Sequence, residues 1–320
     1  MNIRINSKCY RYAWVVLALA GLLVSGMLSA QQDNTGAGIA PKMFFTPEEA
    51  ARAIIEAAAA YDVDALEQIL GSEGKTLVLT GSAAEDREVA RTFAELAAGK
   101  NEVVIDPEDK NLAILNIGNE EWPFAIPLVR KDEKWFFDAL RGKEELIYRR
   151  IGANELDTIE VCRGYVDAQQ QYASRKHDGS EVNQYAQRII STPGKQDGLA
   201  WRNEDGSWGG PIGEQAALAI AEGYTKNDPY HGYFYKILTR QGPNAPLGEM
   251  DYVIKGAMIG GFALAAAPAK YGVTGIMTFI VSNDGVVYEK DLGPDSLQEF
   301  KTLEAFNPDE TWMAVPVETE

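Results

Sequence analysis

The sequence predicts an α+β protein of two domains, each with helices packed on an antiparallel sheet, joined by a long helix. In residues 44–142, apolar side chains at helical spacing are followed by alternating, strand-like runs separated by turn-forming residues. Residues 143–320 begin with a long helical pattern and end in further strand-like runs. Helices that precede a run of hairpin strands are typical of α+β folds. The length of 320 residues suits two domains of about 150 residues each.

Residues 1–30 have the pattern of a secretory signal peptide. Three basic residues give a positive start, and the stretch that follows is apolar and ends in small residues. That stretch is about 16 residues long, shorter than the roughly 20 that span a bilayer, which disfavours the alternative of a membrane anchor. We expect cleavage after Ala30 or after Gly26, export to the periplasm or beyond, and membrane contact only through the signal peptide before cleavage. Residues 31–43 are polar and patternless, which predicts a flexible lead-in.

Charge and residue counts exclude several classes of protein. Acidic residues number 47 against 30 basic ones, so the net charge is −17, and no run of basic residues offers a surface to a phosphate backbone. We therefore expect no nucleic-acid partner. Two His and two Cys are too few for a zinc, haem or iron–sulfur centre, so we expect no metal and no cofactor. Cleavage would leave Cys162 alone, without a partner for an internal disulfide.

Residues 44–142 are expected to fold as the first domain. Thr46 is placed to cap a helix that begins at Pro47, with Glu49 three residues later as in a capping box. Gly71 is expected to end the second helix. The further elements predicted here are a helix over 63–70, an extended run over 75–79, a helix over 84–99, and strands over 102–105, 112–117, 124–130 and 134–139.

The closing hairpin of this domain carries a resemblance. Its sequence at 129–138 is VRKDEKWFFD, and together with the order of the elements it resembles the cone-shaped α+β fold of the nuclear-transport-factor-2-like superfamily. Some members of that superfamily are isomerases or hydratases with an Asp or a His inside the cone. The resemblance makes Asp138, near Trp135, a candidate base, and the alternative is that Asp138 ends a strand.

Residues 143–320 are expected to form the second domain. A helix over 143–174 should link the two domains, with Gly152 as a candidate break. The tripeptide Asn283-Asp284-Gly285 is a strong signal for a hairpin turn. The other elements predicted here are a short turn or helix over 185–190, an irregular loop over 191–213, a helix over 214–223, strands over 233–238, 261–266, 275–282 and 286–290, and a closing helix over 297–306.

Four segments of the second domain carry a family resemblance. They are YAQRIISTPGK at 185–195, YHGYFYKILT at 230–239, MIGGFAL at 258–264 and YGVTGIMTFIV at 271–281. They resemble an exported bacterial family, domain-of-unknown-function family 2950, and the likeness extends over nearly the whole mature chain. The resemblance implies bacterial origin and export. The helix and the later strands are also similar to the globular part of some type IV pilin-like proteins, in which a helix packs across an antiparallel meander.

Two groups of aromatic and basic residues form the candidate binding surface. Trp201, Arg202 and Trp208 lie in the loop over 191–213, and loops of this length are often functional. The alternative is a loop packed by its own aromatic side chains. The second group lies on and near a Tyr-rich strand whose polar tips suit a sugar, a peptide or a protein, although a half-buried sheet would have the same pattern. Its members are Tyr230, His231, Tyr233, Tyr235 and Arg240.

The motifs of several enzyme classes do not occur. The sequence contains no nucleophile elbow, no phosphate-binding loop and no dinucleotide-binding motif. We therefore expect an exported envelope protein that binds a partner protein or a small ligand, or takes part in assembly, without catalysis. One alternative is a hydrolase or isomerase that uses carboxylates in a site between the domains, because acidic pairs are abundant. Another alternative is a subunit of a surface fibre.

Overall fold

The chain divides into two compact units, Met1–Tyr148 and Arg149–Glu320. The computed structural model describes residues 38–79, 82–213 and 229–316. The boundary between the units lies inside a long helix, a little after the boundary at 142 that the sequence predicts. Both units combine helices with mainly antiparallel sheets, so the predicted α+β class is confirmed. The predicted signal peptide, most of the lead-in and the predicted helix over 214–223 lie outside the described residues.

The described part of the first unit consists of helices and one five-stranded antiparallel sheet. The helices are α1 (Pro47–Ala59), α2 (Val63–Val78), α3 (Ala83–Gly99) and the start of α4 (Ala139–Ala173). The strands are β1 (Asn101–Ile105), β2 (Leu112–Ile117), β3 (Trp122–Pro123), β4 (Leu128–Lys131) and β5 (Lys134–Phe137). The strand order is β1–β2–β4–β5, and β3 pairs with β2.

Local signals in the sequence explain where two helices of this unit begin. The Thr46 hydroxyl accepts the N–H of Glu49 at 3.1 Å, which confirms the predicted start of α1. At the start of α4, a carboxylate oxygen of Asp138 accepts the N–H groups of Leu140 and Arg141 at 3.1 and 3.2 Å. The Asp138 carboxylate therefore holds a helix terminus, which favours its structural role over that of a base.

Helix α2 corrects one prediction, because the run over 75–79 is not extended. Gly71 interrupts the helix with φ 75° and ψ 169°, and the helix then resumes and continues to Val78. Leu70, before this interruption, and Leu77, after it, are both buried in the core of the first unit. The short apolar run around Leu77 has strand-like composition, but it is helical because it packs in that form against the hydrophobic core of the first unit.

The strand predicted over 124–130 is confirmed only from Leu128 onward. Strand β3 ends at Pro123 and β4 begins only at Leu128. Proline offers no N–H to a ladder, and Pro127 stands directly before β4, so continuous pairing through this stretch is interrupted. The intervening Ala125 and Ile126 are buried in the core of the unit.

The second unit continues α4 and adds short strands, one large sheet and a closing helix. The strands before the large sheet are β6 (Arg188–Ile190), β7 (Gly198–Arg202) and β8 (Trp208–Gly209). The large sheet contains β9 (Tyr233–Leu238), β14 (Ala263–Pro268), β15 (Met277–Ser282), β16 (Val287–Asp291) and β17 (Met313–Ala314). The remaining elements are β10 (Arg240–Gln241), β11 (Met250–Asp251), β12 (Val253–Ile254), β13 (Ala257–Met258) and α5 (Ser296–Thr302).

The large sheet is antiparallel and has the order β17–β16–β15–β14–β9. Helix α4 continues through Gly152 without a break, and its Glu155 carboxylate accepts the N–H of Met277 at the start of β15. Neighbouring residues of β9 point to opposite faces of the sheet: the Tyr235 hydroxyl donates to Thr158 of α4, and Lys236 donates from Nζ to the carbonyl of Phe300 in α5. Among the described residues, no helix is long and apolar enough to cross a membrane.

The predictions for 185–190 and 191–213 fail, whereas the predicted hairpin turn is confirmed. The segment over 185–190 is neither turn nor helix, since its end forms β6. The loop over 191–213 is not irregular throughout, because β7 pairs in parallel with β6 and antiparallel with β8. Burial of Leu199 and Ala200 explains the pairing, since their backbone needs hydrogen-bond partners. The hairpin predicted at Asn283-Asp284-Gly285 joins β15 to β16, and Gly285 has φ 77°.

Candidate functional site

The structure places two of the predicted surface residues in the core. Trp201 is 6% exposed and Tyr233 is fully buried, and both belong to the hydrophobic core of the second unit. The Tyr233 hydroxyl donates to the carbonyl of Met277 at 2.9 Å, which satisfies its polar end. Neither side chain is therefore available to a ligand at the surface.

Three other predicted residues lie together beside α4. His231 Nδ1 lies 2.9 Å from a carboxylate oxygen of Asp157, and the ring of Tyr230 packs edge-on against the imidazole. The ring of Tyr235 lies 6.3 Å from that of Tyr230, and its hydroxyl donates to Thr158. Burial raises the pKa of Tyr235, and burial followed by the charge of Asp157 raises the pKa of Tyr230. This cluster contains the acid–histidine pair of the second unit.

The remaining predicted residues make separate local contacts. The Arg202 guanidinium lies 4.2 Å from the ring centre of Trp208 and donates to the carbonyl of Gly206, so it stabilises the turn between β7 and β8. Arg240 forms an exposed ion pair with Glu304 at 2.6 Å. The residues predicted as one binding surface thus occupy several places in the second unit.

A polar cavity of about 620 Å³ lies elsewhere in the second unit. This volume falls in the range typical of small-molecule sites, about 300–1,000 Å³. Its wall comes from the end of α4 and the turn after it, the segment that enters β6, the loop between β6 and β7, and the turn between β12 and β13. The lining residues are Tyr172, His177, Asp178, Ser180, Gln184, Tyr185, Gln187, Arg188, Lys195, Asp197 and Gly256.

His177 is the buried anchor of this wall and is 5% exposed. Its ring stacks on that of Tyr172 with 3.9 Å between centroids, and Trp201 packs against it at 5.7 Å. Its Nε2 lies 3.0 Å from the carbonyl of Tyr172, and its Nδ1 lies 3.3 Å from Oε1 of Gln196. Each ring nitrogen thus lies beside an oxygen acceptor, and the contacts of His177 join the end of α4 to the loop before β7.

Two carboxylates hold that loop in one conformation. Asp178, with φ 50°, accepts the N–H of Gln196 through both of its oxygens, at 3.0 and 2.8 Å. Asp197 accepts the N–H and the hydroxyl of Thr192 at 2.7 and 2.8 Å. Burial opposes its charge, but the hydrogen bonds from Thr192 outweigh burial and lower the pKa of Asp197. Burial, followed by the charges of the two acids, raises the pKa of Tyr172 to about 12.

The cavity offers groups that bind rather than groups that react. The Ser180 hydroxyl donates to the carbonyl of Val182 and accepts from Gln184, and Gln187 donates to the carbonyl of Gly256. Arg188 and Lys195 add positive charge to this lining. In small-molecule sites a few placed polar groups fix the orientation of the ligand.

Metal and thiol chemistry receive no support from the residues that the structure describes. Within them, no group of three or more His, Cys, Asp or Glu side chains could hold a metal ion. Cys162 is fully buried on α4, and burial raises its pKa to about 12 although the charge of Arg163 opposes this. A buried thiol of this kind packs as a small apolar residue and is poorly reactive.

The sequence does not predict this cavity, because its lining is assembled only by the fold. It combines side chains from separate segments, and no single segment carries a recognisable motif. The sequence carries one signal for the loop of the cavity wall between β6 and β7. This is the run Thr192-Pro193-Gly194-Lys195-Gln196-Asp197, whose turn-forming residues predict a tight loop with its own hydrogen bonds. Isolated His177 gave no indication that its ring is engaged on both sides.

Comparisons with known proteins give one positive finding. No curated protein and no solved structure matches the chain. A family model matches residues 41–315, which include every helix and strand described above. The chain therefore belongs to the family described as "Protein of unknown function (DUF2950)".

Proposed function

We propose that this chain is an exported bacterial envelope protein that binds a small polar molecule in the cavity beside His177, without catalysis. The observation that carries the proposal is the cavity itself, which is large enough for a small molecule and lined mainly by polar side chains. The wall is held in place by His177, Asp178 and Asp197, so little ordering would be needed on binding.

Export rests on the sequence of residues 1–30, with its basic start, apolar stretch and small residues. Expression of the full chain in a bacterium, followed by fractionation and N-terminal sequencing, tests it. The mature protein should leave the cytoplasm and begin at Gln31, or at Met27 if cleavage follows Gly26. A full-length chain retained in the cytoplasm would contradict export and leave the binding proposal to its own test.

Binding is tested by a nuclear magnetic resonance screen of the mature protein against sugars, amino acids and small organic acids. A ligand should shift the amide signals of Gln187, Lys195 and Gly256 in a saturable way. Ser180→Trp fills the cavity and should abolish these shifts, whereas Ser174→Trp places the same side chain on an exposed position outside it. Shifts that survive Ser180→Trp would place the ligand elsewhere.

A second candidate function is a hydrolase or isomerase, and the acid–histidine pair of Asp157 and His231 favours it. Chromogenic esters, glycosides and peptides should then be turned over by the mature protein. The matched variant His231→Gln keeps a polar side chain and should remove that turnover. Equal rates for both proteins would contradict a catalytic role of the pair.

A further inference from the structure

The charged residues of the cavity fall into two groups that differ in how their hydrogen-bonding capacity is used. Both oxygens of Asp178 accept from the backbone of Gln196, and both oxygens of Asp197 accept from Thr192. These bonds close the loop before β7, and each carboxylate oxygen keeps a further lone pair. The two acids therefore hold the wall, and their negative charges stay at the cavity beside the two cations.

The two cations of the cavity are not used in this way. The Arg188 side chain is 62% exposed, and its Nε forms an ion pair with Asp197 at 3.7 Å, beyond hydrogen-bond distance. The ammonium of Lys195 is exposed and makes no ion pair with any residue that the structure describes. Arg188 thus retains guanidinium donors, and Lys195 retains its three ammonium donors, at the edge of a cavity whose Ser180 hydroxyl and Gln187 amide already donate within the wall.

From this asymmetry we infer that the cavity takes a small polar molecule with an anionic oxygen group, a carboxylate or a phosphate, held by Arg188 and Lys195. The inference rests on the proposed function, because it assigns the ligand class of the same cavity. A guanidinium presents paired donors that match such a group, and an ammonium adds a point charge. The uncharged remainder of the ligand would face Ser180 and Gln187.

The experiment compares probes that differ in charge alone. The mature protein is titrated with glucuronate, with its neutral amide glucuronamide, and separately with inorganic phosphate, while the amide signals of Gln187, Lys195 and Gly256 are followed. Glucuronate or phosphate should bind at least about tenfold more tightly than glucuronamide, and 0.5 M salt should weaken the binding because the cations are exposed. The stronger of the two anions identifies the group.

Substitutions assign the effect to the two cations. Arg188→Gln and Lys195→Gln should each raise the Kd of the bound anion about tenfold, the scale expected for one charged hydrogen bond. Arg240→Gln is the matched control, since Arg240 is an exposed arginine beside a carboxylate and lies outside the cavity, and its Kd should equal that of the wild type. Unchanged melting temperatures would show that all three variants fold.

Two results separate this inference from the proposed function. If a neutral compound shifts the cavity signals while neither glucuronate nor phosphate does, the anionic ligand is wrong and the binding cavity stands. If glucuronate binds but Arg188→Gln and Lys195→Gln leave its Kd unchanged, the assignment to these two cations is wrong. If no compound in either titration or screen shifts the cavity signals, both proposals fail.

Discussion

The buried amide of Gln169 holds the segment that carries part of the cavity wall. Its Oε1 accepts the N–H of Ala186 at 2.8 Å, and its Nε2 donates to the carbonyl of Ala186 at 2.8 Å and to the hydroxyl of Tyr165 at 2.9 Å. One side chain on α4 thus satisfies both backbone groups of a residue that is itself 1% exposed. The next two residues along the chain, Gln187 and Arg188, line the cavity.

Replacing Gln169 with Leu keeps most of the volume and removes these hydrogen bonds. The N–H and C=O of Ala186 are then both buried without a partner, at about 1–3 kcal/mol for each group, or about 2–6 kcal/mol together. A central value of about 4 kcal/mol should lower the melting temperature of the second unit by roughly 8–16 °C, since 1 kcal/mol shifts a domain of this size by about 2–4 °C. Gln171→Leu, on an exposed position of the same helix, should change stability by less than about 0.5 kcal/mol.

Differential scanning calorimetry of the mature chain measures the effect, because it separates transitions of two units. Hydrogen exchange of the Ala186 amide gives a local readout, and its protection should fall in Gln169→Leu well below that in Gln171→Leu. If Gln169→Leu has the melting temperature of the wild type and retains hydrogen-exchange protection at Ala186, the reasoning is refuted, since the side-chain amide of Gln169 would then not stabilise this segment.

Two further substitutions test other buried contacts of the second unit. Burial, and then the charge of Glu155, raise the pKa of Glu289, so its ionised form costs stability above the ordinary glutamate pKa of about 4.3. Glu289→Gln should therefore raise the melting temperature at pH 7, and the gain should disappear near pH 4; a gain that is equal at both pH values would contradict this. A methyl group on Gly275 would lie 2.0 Å from the hydroxyl oxygen of buried Tyr233, so Gly275→Ala should lower stability in urea unfolding by about 1–3 kcal/mol. Gly152→Ala is its control, because that helical position is open and the change should stabilise by up to about 1 kcal/mol.

Features that depend on neighbouring residues could be predicted from the sequence. The cap of α1 needs only Thr46 and Glu49, which are three residues apart. The turn between β15 and β16 needs only Asp284 and Gly285, and Asp284 accepts the N–H of Val286 at 3.1 Å within the turn. At the cap and at the turn, contacts within a few residues determine the backbone conformation, and packing with the rest of the unit does not change it.

Features that depend on distant residues could not be predicted. The run around Leu77 favours a strand by composition, and its burial in the core of the first unit makes it helical. Trp201 has the sequence context of a loop, and its contacts with His177 and Arg175 place it in the wall behind the cavity. Gln169 is a polar residue in an amphipathic helix, and nothing in its local sequence indicates a hydrogen-bonding partner at Ala186.

The way the cavity uses its proton-transfer groups favours binding over catalysis there. A general base needs a lone pair that faces the substrate. Both ring nitrogens of His177 are engaged by Tyr172 and Gln196, and the carboxylates of Asp178 and Asp197 are engaged by backbone groups of the loop. Proton transfer at His177 would compete with these contacts, because each of its ring nitrogens already has an oxygen neighbour in the wall.

The acid–histidine pair outside the cavity has the opposite character. His231 and Asp157 pair with each other, and the His231 side chain remains 31% exposed. This pair could meet a substrate, but it lies apart from the polar cavity that could hold one, since neither residue lines that cavity. Among the residues that the structure describes, the lining of this cavity and the Asp157–His231 pair are thus separate. The proposed binding role of the cavity accords with this separation, because catalysis needs binding and proton-transfer groups at the same reacting atoms.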